Sequence, residues 1–114
     1  MLDKWQVEFK KGFSKPLLLL VLSEQSSYPY KLTKQVRELT SGVIEIAPSN
    51  TYPMLKSLLD DGLVSKYEDQ TGGTKKRTMY QITPIGSAFL DDLRDILVNF
   101  LSVLKPVLEE NHNE

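Results

Sequence analysis

Residues 48–64 read Pro48-Ser49-Asn50-Thr51-Tyr52-Pro53-Met54-Leu55-Lys56-Ser57-Leu58-Leu59-Asp60-Asp61-Gly62-Leu63-Val64, and this stretch decides the fold. Pro48 suits a first helical turn, where its missing N–H would have had no partner. Gly62 suits the left-handed position that ends a helix. Between them Tyr52, Leu55, Leu58 and Leu59 recur at three- and four-residue steps and define a buried stripe. Ser49, Asn50, Thr51, Lys56, Ser57 and Asp60 are expected to face outward. Pro53 removes one backbone bond and should kink the helix slightly. The expectation is a helix from about Pro48 to Asp61 that shows small polar groups from its N-terminal turn.

The flanks complete a pattern. Upstream, Ser26, Ser27 and Pro29 signal another helix start. Tyr30 or Tyr28, Leu32, Val36 and Leu39 lie on one face of that helix, and Lys31, Lys34, Gln35 and Glu38 lie away from it. Ser41 and Gly42 stop it, and Val43, Ile44 and Ile46 make a short extended link. Downstream, Leu63–Glu68 and Arg77–Ile82 read as strands joined by the turn chemistry of residues 69–74. Lys75, Lys76 and Arg77 load the returning arm with cations. Thr83 caps a last helix, with Pro84 at its first position. Leu90, Leu93, Leu97, Phe100, Leu104 and Val107 follow at alternating three- and four-residue steps, a heptad seam. Phe89, Ile96 and Val103 widen the seam, and Pro106 should bend or end it. At the other end, Leu2, Trp5, Phe9 and Phe13 mark an amphipathic first helix. Ser14 is expected to cap a second, which carries the apolar run Leu17–Leu22 and reads as a central, buried element.

The fold class that results is mainly α with a small β-hairpin wing. It comprises a winged helix-turn-helix with its N-terminal helix over residues 1–83, a long C-terminal dimerisation helix over 84–110, and a disordered tail over 111–114. The apolar seam of the last helix is wider than one neighbour normally covers. With the equally amphipathic first helix, it favours a homodimer whose terminal helices exchange across a twofold axis.

Composition removes other classes. The 114 residues include no cysteine and one histidine, His112. That leaves no thiolate site, no metal constellation and no histidine base placed beside a nucleophile, so neither an enzyme nor a cofactor is expected. The longest apolar run is six residues, against about 20 for a membrane span; the expected compartment is the cytoplasm. The net charge of −1 is uneven. Residues 1–83 carry twelve basic and nine acidic groups, and residues 84–114 carry two and six. The acidic balance therefore belongs to the last helix and tail, and the helix-turn-helix with its wing is modestly basic.

Several of these runs resemble the PadR-type transcriptional regulators. They are Trp5–Gly12, Leu17–Leu22 before Tyr28-Pro29-Tyr30, the stretch 48–64 itself, and Gly72-Gly73 leading through a basic run into Tyr80-Gln81-Ile82-Thr83-Pro84-Ile85-Gly86. The most specific part is Thr51 through Val64. The resemblance implies a homodimeric repressor that binds a palindromic operator and releases it when a small molecule binds. The chain departs from the family pattern at Pro29, where Gly is usual, and at Ala47, where a capping Ser is common. It also departs at Thr74 and Met79 in the wing. Leu97 stands where some relatives carry a Trp that stacks on a flat ligand.

The expected double-stranded DNA contacts follow. Ser49, Asn50, Thr51 and Lys56 face the major groove, and Tyr52 is mainly core with its hydroxyl at the rim. Lys31 and Lys34 anchor phosphates with help from Tyr30. Lys75, Lys76 and Arg77 reach the backbone from the wing. The expected dimer residues are Trp5, Phe9, Phe13, Phe89, Leu90, Leu93, Leu97, Phe100 and Leu104. The aromatic set among them raises the expectation of a small hydrophobic or aromatic effector. A winged helix that binds a protein partner and no DNA is the alternative.

Overall fold

The computed structural model describes residues 1–70 and 76–112. Thr71, Gly72, Gly73, Thr74 and Lys75, and tail residues 113–114, lie outside the described residues. The chain runs α1 (Leu2–Lys11), α2 (Ser14–Glu24), α3 (Pro29–Leu39), α4 (Pro48–Asp60), β1 (Val64–Asp69), β2 (Arg77–Ile82) and α5 (Pro84–His112). The strands form an antiparallel hairpin with Val64 opposite Ile82 and Asp69 opposite Arg77. This is a winged helix flanked by terminal helices.

The core gathers on α2. Leu18, Leu19 and Leu22 are buried with Leu32 and Val36 of α3, Leu55 and Leu58 of α4, Val64 and Tyr80 of the hairpin, and Leu90 of α5. Ser14 is not the cap expected of it. The backbone stays helical through Gly12 and Phe13, so Ser14 enters as the first residue of α2 and is buried.

Two helix ends fix the geometry of the helix pair. At the end of α3, the Gly42 N–H donates to the Arg37 carbonyl at 2.8 Å, and Ser41 and Gly42 both take positive φ. The Thr40 Oγ1 accepts from the Ile44 N–H at 3.1 Å, which directs Ile44 and Ile46 inward. At the end of α4, the Leu63 N–H donates to the Leu58 carbonyl and the Gly62 N–H to the Leu59 carbonyl, both at 3.0 Å. This is a Schellman closure with Gly62 at φ 74°. It keeps Leu63 in the turn, so β1 starts one residue later than its side chains suggest.

The start of α5 is locked to that turn. The Thr83 Oγ1 donates to the Gly62 carbonyl at 2.7 Å and accepts from the Gly86 N–H at 2.9 Å. The Thr83 N–H donates to the Leu63 carbonyl at 3.1 Å. Here α5 passes so close to the turn that only a residue without Cβ fits at Gly86. The helix continues through Pro106 to His112. One lost backbone bond late in a 29-residue helix does not end it.

The terminal helices project from the body. No residue of α1 is buried, and beyond Leu90 no described residue of α5 is fully buried. The radius of gyration is 16.3 Å, whereas a compact chain of this length has about 13 Å.

Candidate nucleic-acid interface

Helix α4 opens to solvent with Pro48 at its first position and no side-chain cap. Pro48 has no N–H, and the Asn50 and Thr51 N–H groups donate to the Ala47 carbonyl at 2.9 and 3.2 Å, so it is the positive end of the helix dipole that favours an anion there. Ser49 and Asn50 are exposed. Thr51 is not. Its side chain is wholly buried, with 0% exposure, and its Oγ1 donates to the Ala47 carbonyl at 3.2 Å. Tyr52, expected in the core, is 63% exposed. The buried stripe is therefore Thr51, Leu55 and Leu58, with Leu59 half-buried against the core; it differs from the expected one at its first member, Thr51 in place of Tyr52. The first turn of α4 thus meets the core through a small side chain whose hydroxyl is satisfied within the helix. The correction removes Thr51 from the outward face and puts Tyr52 on it. Residues 49, 52 and 56 then share one face. Lys56 pairs with Asp60 at 3.4 Å, but both side chains are largely exposed, and such a pair is easily exchanged for a phosphate.

Helix α3 carries the next cations. Lys31 and Lys34 are exposed, and the Lys34 ammonium lies 5.3 Å from the centre of the Tyr30 ring. Lys34, Tyr30 and Arg37 line a cleft of about 560 Å³ closed by residues 45–48 at the start of α4. Arg37 escaped the sequence reading. Its spacing of three from Lys34 puts both on one helical face, a signal obscured by the neighbouring Glu38.

The wing brings Lys76 and Arg77. Lys76 makes an exposed pair with Glu68 at 3.8 Å. Arg77 is engaged differently: its guanidinium lies 4.1 Å from the centre of the Tyr28 ring. Lys75 lies outside the described residues. The wing is tied to the helices at its base. Ser27 and Tyr80 form an antiparallel bridge, with the Tyr80 N–H donating to the Ser27 carbonyl at 2.7 Å and the Ser27 N–H to the Tyr80 carbonyl at 3.0 Å. The Ser27 Oγ donates to Gln35 Oε1 at 2.6 Å. Burial, and second the nearby Tyr52 phenol, push the Tyr80 hydroxyl above its usual pKa.

The expected dimer residues divide. Trp5 is 71% exposed, and Phe9, Phe89 and Phe100 are also exposed. Leu93, Leu97 and Leu104 are half-buried. Phe13 is half-buried, packs on the core of its own chain, and stacks at a tilt on Phe9 with ring centres 5.7 Å apart. Leu90 is a correction: at 3% exposure it belongs to the core of its own chain and cannot face a partner. The seam of α5 starts against α2 and is left uncovered only further along. Among the described residues no helix is long and apolar enough to cross a membrane.

Residues 18–92 match the family described as "Transcriptional regulator PadR-like family". The chain is similar to a PadR family transcriptional regulator from Eggerthella lenta, with 27% identity over 95% of this chain and 92% of that one and a TM-score of 0.73. It shares the fold of a PadR-like transcriptional regulator from Bacillus cereus, with a TM-score of 0.79 at 20% identity over 89% and 96% of the two chains. It is also similar to Bacillus subtilis PadR, whose structure holds operator DNA. That match has 26% identity over 69% of this chain and 45% of the other, with a TM-score of 0.62.

Proposed function

The chain belongs to the PadR-like family of transcriptional regulators, and from that premise we propose that it acts in the cytoplasm as a homodimeric repressor of a palindromic operator. As a family member it is a DNA-binding winged-helix regulator and not an enzyme. The observation that carries the proposal is the exposed set on one side of the helix pair. Ser49, Asn50, Tyr52 and Lys56 of α4 and Lys31, Lys34 and Arg37 of α3 are all exposed, and Lys34 and Arg37 line the cleft that Pro48, the first residue of α4, also lines. In this reading α4 enters the major groove, Ser49 and Asn50 meet base edges, and the α3 cations and Lys76 hold phosphates.

Dimerisation is supported by the unpartnered apolar faces of α1 and α5. Trp5, Phe9, Ile96, Phe100 and Val103 are all more than half exposed in the single chain. An apolar surface of this extent calls for a partner, and a twofold pairing matches half-sites about 34 Å apart. The same aromatic side chains would receive a small hydrophobic or aromatic effector. By binding one dimer arrangement better than another, such a molecule shifts the spacing of the two α4 helices and releases the operator.

The test is a fluorescence-anisotropy titration of the region upstream of the protein's own gene against a random duplex of equal length. The five cations per protomer placed at the interface, Lys31, Lys34, Arg37, Lys56 and Lys76, set an upper slope of log K against log salt of roughly −9 for a dimer. A preference for the upstream duplex with a steep negative slope is expected. Equal affinity for both duplexes would refute sequence-specific recognition.

A further inference from the structure

Among the described wing residues, Arg77 is a cation whose side chain is drawn back onto the body of the domain. Its partner, Tyr28, is the residue just before α3. The Ser27–Tyr80 bridge sets a register in which Tyr28 falls opposite Met79 and diagonally opposite Arg77. Diagonal neighbours across an antiparallel pair are within reach of long and aromatic side chains, and the 4.1 Å separation between guanidinium and ring is that contact made. Below it, the Ser27 Oγ is fixed to Gln35 in the second turn of α3. A continuous path therefore runs from α3 through Ser27 and Tyr28 to β2. The hydrogen-bonded bridge holds the base of the wing, and the Arg77–Tyr28 stack holds the point at which β2 leaves the body.

We propose that Arg77 is a positioning residue rather than a phosphate contact: stacked on Tyr28, it holds the wing at a fixed angle to α3, so that Lys76 meets the backbone of the same half-site that α4 reads. The inference rests on the DNA-binding reading above. Its physical content is pre-organisation. A wing that samples other angles is docking-competent for only a fraction of the time, and the apparent affinity falls by that fraction. A cation–π contact at a partly exposed site of this kind corresponds to about a threefold to fivefold change in the equilibrium between docked and undocked wing, and the affinity falls by that whole factor where the undocked wing predominates in the variant.

The experiment is a double-mutant cycle on operator affinity with Arg77→Gln, Tyr28→Ala and both together, with Tyr28→Phe as the conservative variant that keeps the ring. Salt dependence is measured for each. Exchange of the Tyr80 amide is followed in the free full-length protein. Positioning predicts that Arg77→Gln and Tyr28→Ala each weaken binding by about threefold to fivefold, that the double variant is no weaker than either, and that Tyr28→Phe binds like the parent. It also predicts faster Tyr80 amide exchange in both single variants. A direct phosphate contact predicts instead that Arg77→Gln flattens the salt slope by about 0.9 per half-site while Tyr28→Ala changes nothing; that result overturns the proposal. Additive losses overturn it as well. If the parent shows no preference for its operator, the DNA-binding reading fails, and the amide exchange alone still decides whether the stack holds the wing.

Discussion

Gly86→Ala is the sharpest structural test of how the wing and the last helix are joined. A Cβ at residue 86 would stand 2.0 Å from the Leu63 carbonyl oxygen, 2.9 Å from its carbon and 2.8 Å from Ile82 Cγ1. The Ile82 side chain has rotamers to retreat into. The Leu63 carbonyl has none, because it accepts the Thr83 N–H at 3.1 Å and lies in the turn that closes α4. To reach ordinary contact it must withdraw by roughly 1.4 Å, which breaks that hydrogen bond. Overpacking of this kind costs about 1–3 kcal/mol, and the lost bond about 1 kcal/mol. Alanine returns about 1 kcal/mol as the better helix former. The net loss is about 2 kcal/mol, or a fall of about 8 °C in Tm at this chain length. Helical circular dichroism followed through a melt measures it, at equal protomer concentration because dimerisation shifts Tm by mass action. Gly12→Ala is the control. A Cβ there meets only the Phe9 carbonyl, at an ordinary 3.7 Å, and φ is −63°, so the variant should match or slightly exceed the parent. If Gly86→Ala melts at or above the parent temperature, the reasoning about the contact is wrong.

Three further outcomes are expected. Thr51→Val should leave operator affinity within about twofold, since a buried side chain reads no base, while Lys56→Ala should weaken binding and flatten the salt slope by about 0.9 per half-site; anisotropy titrations of both variants check the phase of α4. Trp5→Ser combined with Phe9→Ser should move the protein from dimer to monomer at micromolar concentration in sedimentation velocity, and an unchanged dimer would place the interface elsewhere. The raised pKa of Tyr80 means that the folded state holds its proton more tightly than the unfolded state. The associated stability is complete below pH 10, the ordinary tyrosine value, and is lost as pH rises from there through the folded-state pKa. Urea melts should show this alkaline loss in the parent, and a smaller loss in Tyr80→Phe.

Much of the fold was legible because its punctuation is chemical. Ser41-Gly42 and Gly62 end helices where a left-handed residue is needed, and Thr83-Pro84 begins one. The apolar steps in α3 and α5 follow the helical period, the continuous apolar run of α2 marks a buried helix, and turn chemistry between two short strands marks the hairpin. The candidate site was legible as a set of exposed polar and cationic residues, but not side chain by side chain. In α4 the hydrophobicity of Tyr52 suggested the core, whereas the folded chain buries Thr51 and turns the ring outward. Along α5 the heptad is continuous, and nothing in its spacing tells that Leu90 is covered by its own chain while Phe100 is not.

By itself, then, the sequence determined the order of elements, their ends and the cationic character of the helix pair and wing. These depend on local backbone preferences, periodicity and charge, which act over a few residues. Only the tertiary structure decided which way Thr51 and Tyr52 point, that Gly86 must lack a side chain, and that Arg77 rests on Tyr28. Each of these depends on the distance between segments far apart in the chain. The Ser27–Tyr80 bridge joins residues 53 positions apart, and it is this bridge that turns a basic residue of the wing into a partner of an aromatic one at the foot of α3.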